Sequence, residues 1–118
     1  MALRLPAIER KEQVLDVALA VFAVKGFHDT SMNDIAEAAG VTKPVVYQHY
    51  ESKRALFLAI IDHVGDRMID VLTAATSGLT DGQDQVEAGM VAFFKWVERD
   101  KNAFKFLFDS GTQNDEEF

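Results

Sequence analysis

Residues 31–50 most constrain the fold of this chain, because two short helical patterns meet there at a glycine. Ser31 stands where it can cap a helix, and the Asp34 carboxylate, three residues later, can bond back to the cap. Gly40 follows the first pattern, where a chain commonly takes a left-handed turn that glycine adopts without strain. The sequence therefore predicts a helix over 32–39 that ends in a tight turn. Its apolar residues recur at helical spacing: Ile35, Ala36 and Ala39.

A second helix is predicted over 43–49, directly after this turn. Thr42 can cap it, and Pro44 lies in its first turn, where a missing backbone donor costs little. Val46 and Tyr50 are four residues apart and share one face, which we expect to point inward. The pair of helices is a helix-turn-helix, which predicts DNA as a partner. The residues left to face outward are Lys43, Val45, Tyr47, Gln48 and His49.

The rest of the chain is also predicted to be helical, because it contains no alternating strand pattern and no internal repeat. A helix over 7–25 precedes the motif, and Ser52 caps a long helix over 53–76. The loop-forming composition of 77–82 separates that helix from a fifth one over 83–99, and a short sixth helix holds Phe104, Leu107 and Phe108. The polar and acidic residues 111–118 are expected to be disordered or a loop. The fold class is therefore all-α.

Composition limits the remaining possibilities. A chain of 118 residues that is 48% hydrophobic can bury one modest core. It has no cysteine, which excludes disulfides and thiolate metal sites. No apolar run approaches a membrane span and no signal peptide is apparent, so we expect a cytoplasmic protein with no membrane partner. Because no phosphate loop, paired catalytic carboxylates or Ser-His-Asp spacing appears, we predict neither an enzyme nor a cofactor.

The net charge of −7 at first argues against DNA binding, since affinity for DNA comes mainly from cations that neutralise phosphates. The charge is unevenly distributed, however. Residues 1–54 hold seven Lys and Arg against seven Asp and Glu, whereas residues 55–118 hold five against twelve. The first part is thus neutral, so its nonspecific affinity for DNA should be modest and its specificity should rest on individual contacts.

The chain resembles the tetracycline-repressor (TetR) family of bacterial transcription regulators over about residues 14–58. The motif and the residues that flank it both match the family pattern, which is a more specific signal than an isolated helix-turn-helix. The matching residues are Phe22, Gly26, Phe27, Thr30, Ser31, Ile35, Ala36, Ala39, Gly40, Val41, Thr42, Lys43, Val46, Tyr47, Tyr50, Ser52, Lys53, Leu56 and Phe57.

This resemblance implies two parts. Residues 1–52 would form a three-helix DNA-binding head that contains the motif at 31–50. Residues 53–118 would form the connecting helix and the first part of a helical body that binds a small ligand and forms a homodimer. Two heads would then enter successive major grooves of a near-palindromic operator. The implied function is that of a ligand-responsive regulator, most often a repressor.

The resemblance also assigns contacts to individual residues. Gln48 is suited to reading adenine and Lys43 to reading guanine from the major groove. The residues that fall near base edges are Asn33, Lys43, Pro44, Val45 and Gln48. Those that fall near phosphates are Ser31, Thr42, Tyr47, His49 and Lys53.

Two further groups of side chains suggest sites in the second half. An aromatic concentration suits a pocket for a small apolar effector, although ordinary core packing is the alternative for each member. These aromatic residues are Phe93, Phe94, Trp96, Phe104, Phe106 and Phe108. His63, Asp66 and Asp70 lie on adjacent turns and have metal-binding chemistry, but a solvated acidic face is the preferred interpretation.

The length of the chain departs from the family, whose members are usually nearly twice as long. We expect an incomplete chain that stops within the body. An alternative is a short interaction protein that forms heterodimers with full-length relatives and blocks their DNA binding, which an intact mass well above 13.1 kDa would rule out. A third possibility is a small-molecule binding protein without a DNA function, which the intact motif disfavours.

Overall fold

The computed structural model describes residues 5–112, with side chains through residue 108. Within that range the chain is all-α, as predicted, and contains no strand. Its helices are α1 (Ala7–Lys25), α2 (Met32–Ala39), α3 (Lys43–His49), α4 (Lys53–Thr76), α5 (Gly82–Arg99) and α6 (Lys101–Thr112).

The predicted helix bounds agree with these to within one residue for the first five helices. The expectation of a loop or disorder from Gly111 onward is wrong for Gly111 and Thr112, which complete α6. No proline follows Phe108 to stop the helix, and one glycine near its end costs only about 1 kcal/mol. Residues 113–118, the remainder of that prediction, lie outside the described residues.

The chain divides into two compact units, one ending at Ile61 and the other beginning at Asp62. The boundary lies within α4, which therefore contributes to both units. The functional division after residue 52 stays a prediction.

The core of the first unit forms where α1 packs on α2 and α2 packs on α3. An aromatic cluster supports this core from the side of α4. Phe57 meets Phe22 and Phe27 edge to face, with ring centroids 5.4 and 5.1 Å away. Such pairs add to the stabilisation that burial alone provides. The buried apolar side chains of this unit include Val14, Ala18, Leu19, Ala23, Ile35, Ala36, Ala39, Val46, Leu56 and Ile60.

Local signals set the ends of α2. The Ser31 hydroxyl accepts a hydrogen bond from the Asp34 backbone N–H, and the Asp34 carboxylate accepts one from the Ser31 backbone N–H, both at 3.0 Å. This reciprocal capping box is the predicted one. At the other end Gly40 is left-handed, with φ 69° and ψ 32°. The Val41 N–H then bonds to the Ala36 carbonyl at 2.9 Å, which closes the turn into α3.

The second unit contains the packed pair α5 and α6. Trp96, Ala103 and Phe106 are buried there. Arg67 and Asp100 form an ion pair at 3.3 Å. Several apolar side chains of α5 are exposed instead, so this helix is only partly covered by the described residues. None of the helices between residues 5 and 112 is long and apolar enough to cross a membrane.

Candidate nucleic-acid interface

The outward face of α3 presents polar side chains on a helix whose other face is fixed in the core. Val46 is 0% exposed and Tyr50 is 6% exposed, as their spacing predicts. Lys43, Tyr47 and Gln48 are exposed on the opposite side. A side chain in such a position can contact another molecule without unpacking the head.

Two of the five residues expected to face outward are less accessible than predicted. Val45 and His49 are half-buried, because the helical period puts His49 beside the buried Val46 and Val45 beside His49, at the edge of the inward face. Thr42 occupies the N-cap position of α3, but its side chain makes no capping hydrogen bond, so the predicted cap is wrong in that respect. Pro44 lies in the first turn, as expected.

Two side-chain hydrogen bonds hold the helix-turn-helix against α1. The Gln13 amide donates to the Ala39 carbonyl at 3.1 Å, which satisfies a carbonyl at the open end of α2. The Tyr50 hydroxyl donates to the Lys11 carbonyl at 3.2 Å. Burial, reinforced by nearby acidic side chains, raises the pKa of Tyr50, so its hydroxyl keeps the proton that it donates. These bonds give α3 a fixed orientation relative to the rest of the head.

The N-terminus of α2 carries two of the predicted DNA contacts, Ser31 and Asn33, and both are exposed. The Asn33 amide donates to Glu37 at 3.2 Å. Lys25 forms an ion pair with Asp34 at 2.9 Å. The hydrogen bond from Lys25 and the one from the Ser31 backbone lower the pKa of Asp34 to about 2. Asp34 therefore stays ionised, and its negative charge pairs with the positive charge of Lys25.

Lys53 is the lysine among the predicted phosphate contacts, and its ammonium has bonding partners within the described residues. It is half-buried, and its Nζ donates to the Phe27 carbonyl at 2.7 Å. The same nitrogen lies 4.2 Å from the centre of the Phe27 ring.

The aromatic residues predicted to line an effector pocket divide into two groups. Phe93 and Phe94 line an apolar groove of about 650 Å³ in the second unit. Trp96, Phe104 and Phe108 are not among the residues that line it. Trp96 is buried, with no hydrogen-bond partner for its indole nitrogen in the described part of the chain. Phe104 packs against Phe93 and stacks on Phe108, with centroids 4.4 Å apart in the second pair.

The groove also has lining residues that the aromatic pattern did not identify. They form two stripes, one on the last turns of α4 and one on α5. Within each stripe the residues recur three or four positions apart, and this spacing is the sequence signal that could have identified them. These residues are Leu72, Thr73, Thr76, Gln85, Val86, Gly89 and Met90.

No group of three or more His, Asp or Glu side chains within residues 5–108 is arranged to hold a metal ion. His63, Asp66 and Asp70 therefore do not form such a group.

Comparison with known proteins agrees with this architecture. Residues 14–60 match the family model described as bacterial regulatory proteins, tetR family. The HTH-type transcriptional activator FasR of Mycolicibacterium smegmatis is 37% identical over 107 residues, which cover 91% of this chain and 49% of FasR. The chain thus spans about half the length of that relative.

Two other similarities cover different extents of the chain. The probable acrEF/envCD operon repressor of Escherichia coli is 41% identical over 51 residues, 43% of this chain and 23% of the repressor. The crystal structure of a TetR-like transcriptional regulator from Rhodococcus sp. RHA1 superposes with a TM-score of 0.85 at 35% identity, covering 90% of this chain and 58% of that one. With the helix-turn-helix in place, these matches show that the chain belongs to the tetR family of bacterial regulatory proteins.

Proposed function

We propose that this protein is a sequence-specific DNA-binding transcriptional regulator that inserts α3 into the major groove. The observation that supports this most directly is the exposed face of α3 over a fully buried Val46. A helix with side chains is about 10–12 Å wide and the major groove is about 12 Å wide, so α3 fits the groove as a unit. Its seven residues extend for about 10 Å, the length of about three base pairs.

The exposed side chains then take different tasks. We assign Lys43 and Gln48 to base edges, and Tyr47 to a phosphate to which its hydroxyl can donate. At the start of α2, the Ser31 hydroxyl can donate to a phosphate while its oxygen still accepts the capping bond. Thr42 has a hydroxyl that capping does not use. Asn33, Pro44, Val45 and His49 complete the proposed contact surface.

The electrostatics of the head predict a particular kind of binding. Residues 1–54 have no net charge, and Lys25 is already paired with Asp34. With as many carboxylates as cations, the head should neutralise few phosphates, so the dependence of its affinity on salt should be shallow for a DNA-binding protein. A single head would bind weakly, which favours the family's arrangement of a homodimer on a near-palindromic operator. This chain is similar to one relative named as an activator and to another named as a probable repressor, and we propose the repressor role, to be tested by transcription in vitro.

The first test is fluorescence anisotropy of a labelled duplex taken from upstream of the protein's own gene, with an unrelated duplex of equal length, over a salt series. We expect tighter, salt-sensitive binding to the upstream duplex. Equal affinity for both duplexes at every salt concentration would count against sequence-specific binding to that region.

Variants of α3 separate the proposed tasks. Lys43→Ala should reduce the slope of log K against log salt by about 0.9 per head, because the lysine ammonium, even at a base edge, displaces counterions from the neighbouring phosphates. Tyr47→Ala should weaken binding to both duplexes with little change in slope. Gln48→Ala should weaken only the specific complex, by about 1–3 kcal/mol. Lys105→Ala, an exposed lysine on α6, is the matched control. If the Lys43 and Tyr47 variants fold and bind like the Lys105 control, the placement of α3 in the groove is wrong.

We further propose that the groove between α4 and α5 receives the effector. None of its lining side chains is charged, which suits an uncharged apolar molecule. Gly89 lies within it, and a Cβ added there would meet only Thr76, at an ordinary 3.8 Å. Gly89→Leu should therefore fill the groove without disrupting the backbone, and Gly89→Ala is its matched control.

The uncharged fluorophore N-phenyl-1-naphthylamine tests this assignment. We expect the wild type and Gly89→Ala to bind it and Gly89→Leu to bind it at least several-fold more weakly. Equal binding by all three proteins would place the apolar site elsewhere. A ligand that occupies the groove without changing operator affinity would not be an effector, because regulation requires different affinities for the two states.

A further inference from the structure

Lys53 begins α4 at its junction with the recognition helix, and its ammonium bonds within the protein. Nζ donates to the Phe27 carbonyl at 2.7 Å, a short bond that the positive charge strengthens. It also lies 4.2 Å from the centre of the Phe27 ring, well within the range of a cation–π interaction. Both contacts are to the same residue, so they favour the same position of the lysine side chain.

Phe27 is a suitable anchor because it is itself held firmly. Its side chain is buried, and its ring packs on Phe22 and Phe57. Its carbonyl lies two residues beyond the end of α1, where the Thr30 N–H donates to it at 3.4 Å. Of these two hydrogen bonds to the Phe27 carbonyl, the one from Lys53 is the shorter.

The junction between α3 and α4 is fixed on its other side as well. Tyr50 ends α3 and donates its hydroxyl to the Lys11 carbonyl. The Ser52 hydroxyl accepts a hydrogen bond from the Ala55 N–H at 3.0 Å and so caps α4. Lys53 adds the only contact of this set that reaches the segment following α1.

We infer that Lys53 is a positioning residue that ties the first turn of α4 to Phe27, and that it does not form an ion pair with a DNA phosphate. The inference concerns the DNA-binding function proposed above and rests on it only for the statement about phosphate. Lys43 provides the contrast, because it is exposed and its ammonium has no hydrogen-bond partner among the described residues. The two lysines should therefore respond oppositely to loss of charge.

The test combines thermal unfolding, followed by far-UV circular dichroism, with the salt dependence of binding to the upstream duplex. Lys53→Met keeps an unbranched side chain and removes the ammonium, whereas Lys53→Arg keeps a donor and a cation. We expect Lys53→Met to lower the Tm by about 3–6 °C and to leave the salt slope unchanged. Lys53→Arg should recover most of that loss, because guanidinium groups also make cation–π contacts. Lys43→Met should keep the Tm and reduce the slope by about 0.9 per head.

Either of two results would overturn the inference. One is a reduction of the salt slope by about 0.9 per head in Lys53→Met, which would make Lys53 a phosphate contact. The other is an unchanged Tm in that variant, which would show that the bond to Phe27 positions nothing. If the wild type binds neither the upstream nor the unrelated duplex, the proposed DNA function fails, and the Tm values of the Met and Arg variants alone decide the positioning role.

Discussion

Replacing Gly40 by alanine tests the turn that orients α3. Gly40 has φ 69°, and a Cβ built on it would meet nothing within 4 Å. The cost of the substitution is therefore conformational rather than steric, about 1–2 kcal/mol for an L residue in the left-handed region. Alanine also restricts the unfolded chain, which offsets about 0.4–1 kcal/mol of that cost. We expect a net loss of about 1 kcal/mol.

Urea denaturation followed by far-UV circular dichroism measures this loss, with the slope m expected to stay constant. Gly65 in α4 is a matched control, because a Cβ there also meets nothing within 4 Å but the backbone is helical. Gly65→Ala should be more stable than the wild type by about 0.5–1 kcal/mol. Gly40→Asn should cost less than Gly40→Ala, since asparagine enters the left-handed region more readily. A Gly40→Ala protein as stable as the wild type would refute the argument from the turn.

Two further predictions concern the same head. The pKa of Asp34, about 2 when folded against 3.8 for the unperturbed group, means that its ionised form stabilises the fold above pH 3.8. The stability difference between the wild type and Asp34→Asn, measured by denaturation, should therefore be constant above about pH 5 and shrink as the pH falls toward 2; a constant difference throughout would contradict the lowered pKa. Ile35→Ala, at a fully buried site, should lower the free energy of unfolding measured by urea denaturation by about 2–5 kcal/mol. Val24→Ala, at a site 75% exposed, should lower it by less than about 0.5 kcal/mol. Similar losses in the two variants would place Ile35 outside the core.

The helices of the head could be predicted from sequence because their ends depend on local chemistry. Ser31 and Asp34 satisfy each other's backbone N–H groups, and Gly40 is itself the left-handed residue of the turn. These effects act within a few residues, so spacing alone reveals them. Val46 and Tyr50 were placed correctly for a similar reason, since two residues four apart share a helical face.

Interactions between distant residues were not predictable in the same way. The bonds from Gln13 to Ala39 and from Lys53 to Phe27 each join residues 26 positions apart. No local pattern marks a glutamine or a lysine as the donor to a particular distant carbonyl. Lys53 was expected near phosphate because its position matches a family pattern, and only the folded geometry reveals its bond to Phe27.

The apolar groove shows a further limit of periodicity. Helical spacing relates the buried Leu56 and Ile60, and it also relates Val86, Met90 and Phe94. The side chains of the second group are nevertheless more than half exposed. A stripe of this kind identifies the apolar face of a helix but does not say what covers it. The groove lined by α4 and α5 therefore had to be found from the structure, because the sequence pattern does not reveal it.

The character of the two proposed sites gives a way to distinguish their ligands. The groove has no charged lining residue, so added salt should leave the affinity for an uncharged apolar molecule unchanged or raise it slightly, since such burial does not release counterions. Operator affinity should fall with salt, because every phosphate contact releases counterions. A salt series on the two kinds of ligand therefore separates an effect at the groove from an effect at α3. If an effector lowers operator affinity by the same factor at low and high salt, its action is a change in the population of binding-competent heads. A competitor for the DNA surface would instead lose its effect as salt weakens its own binding.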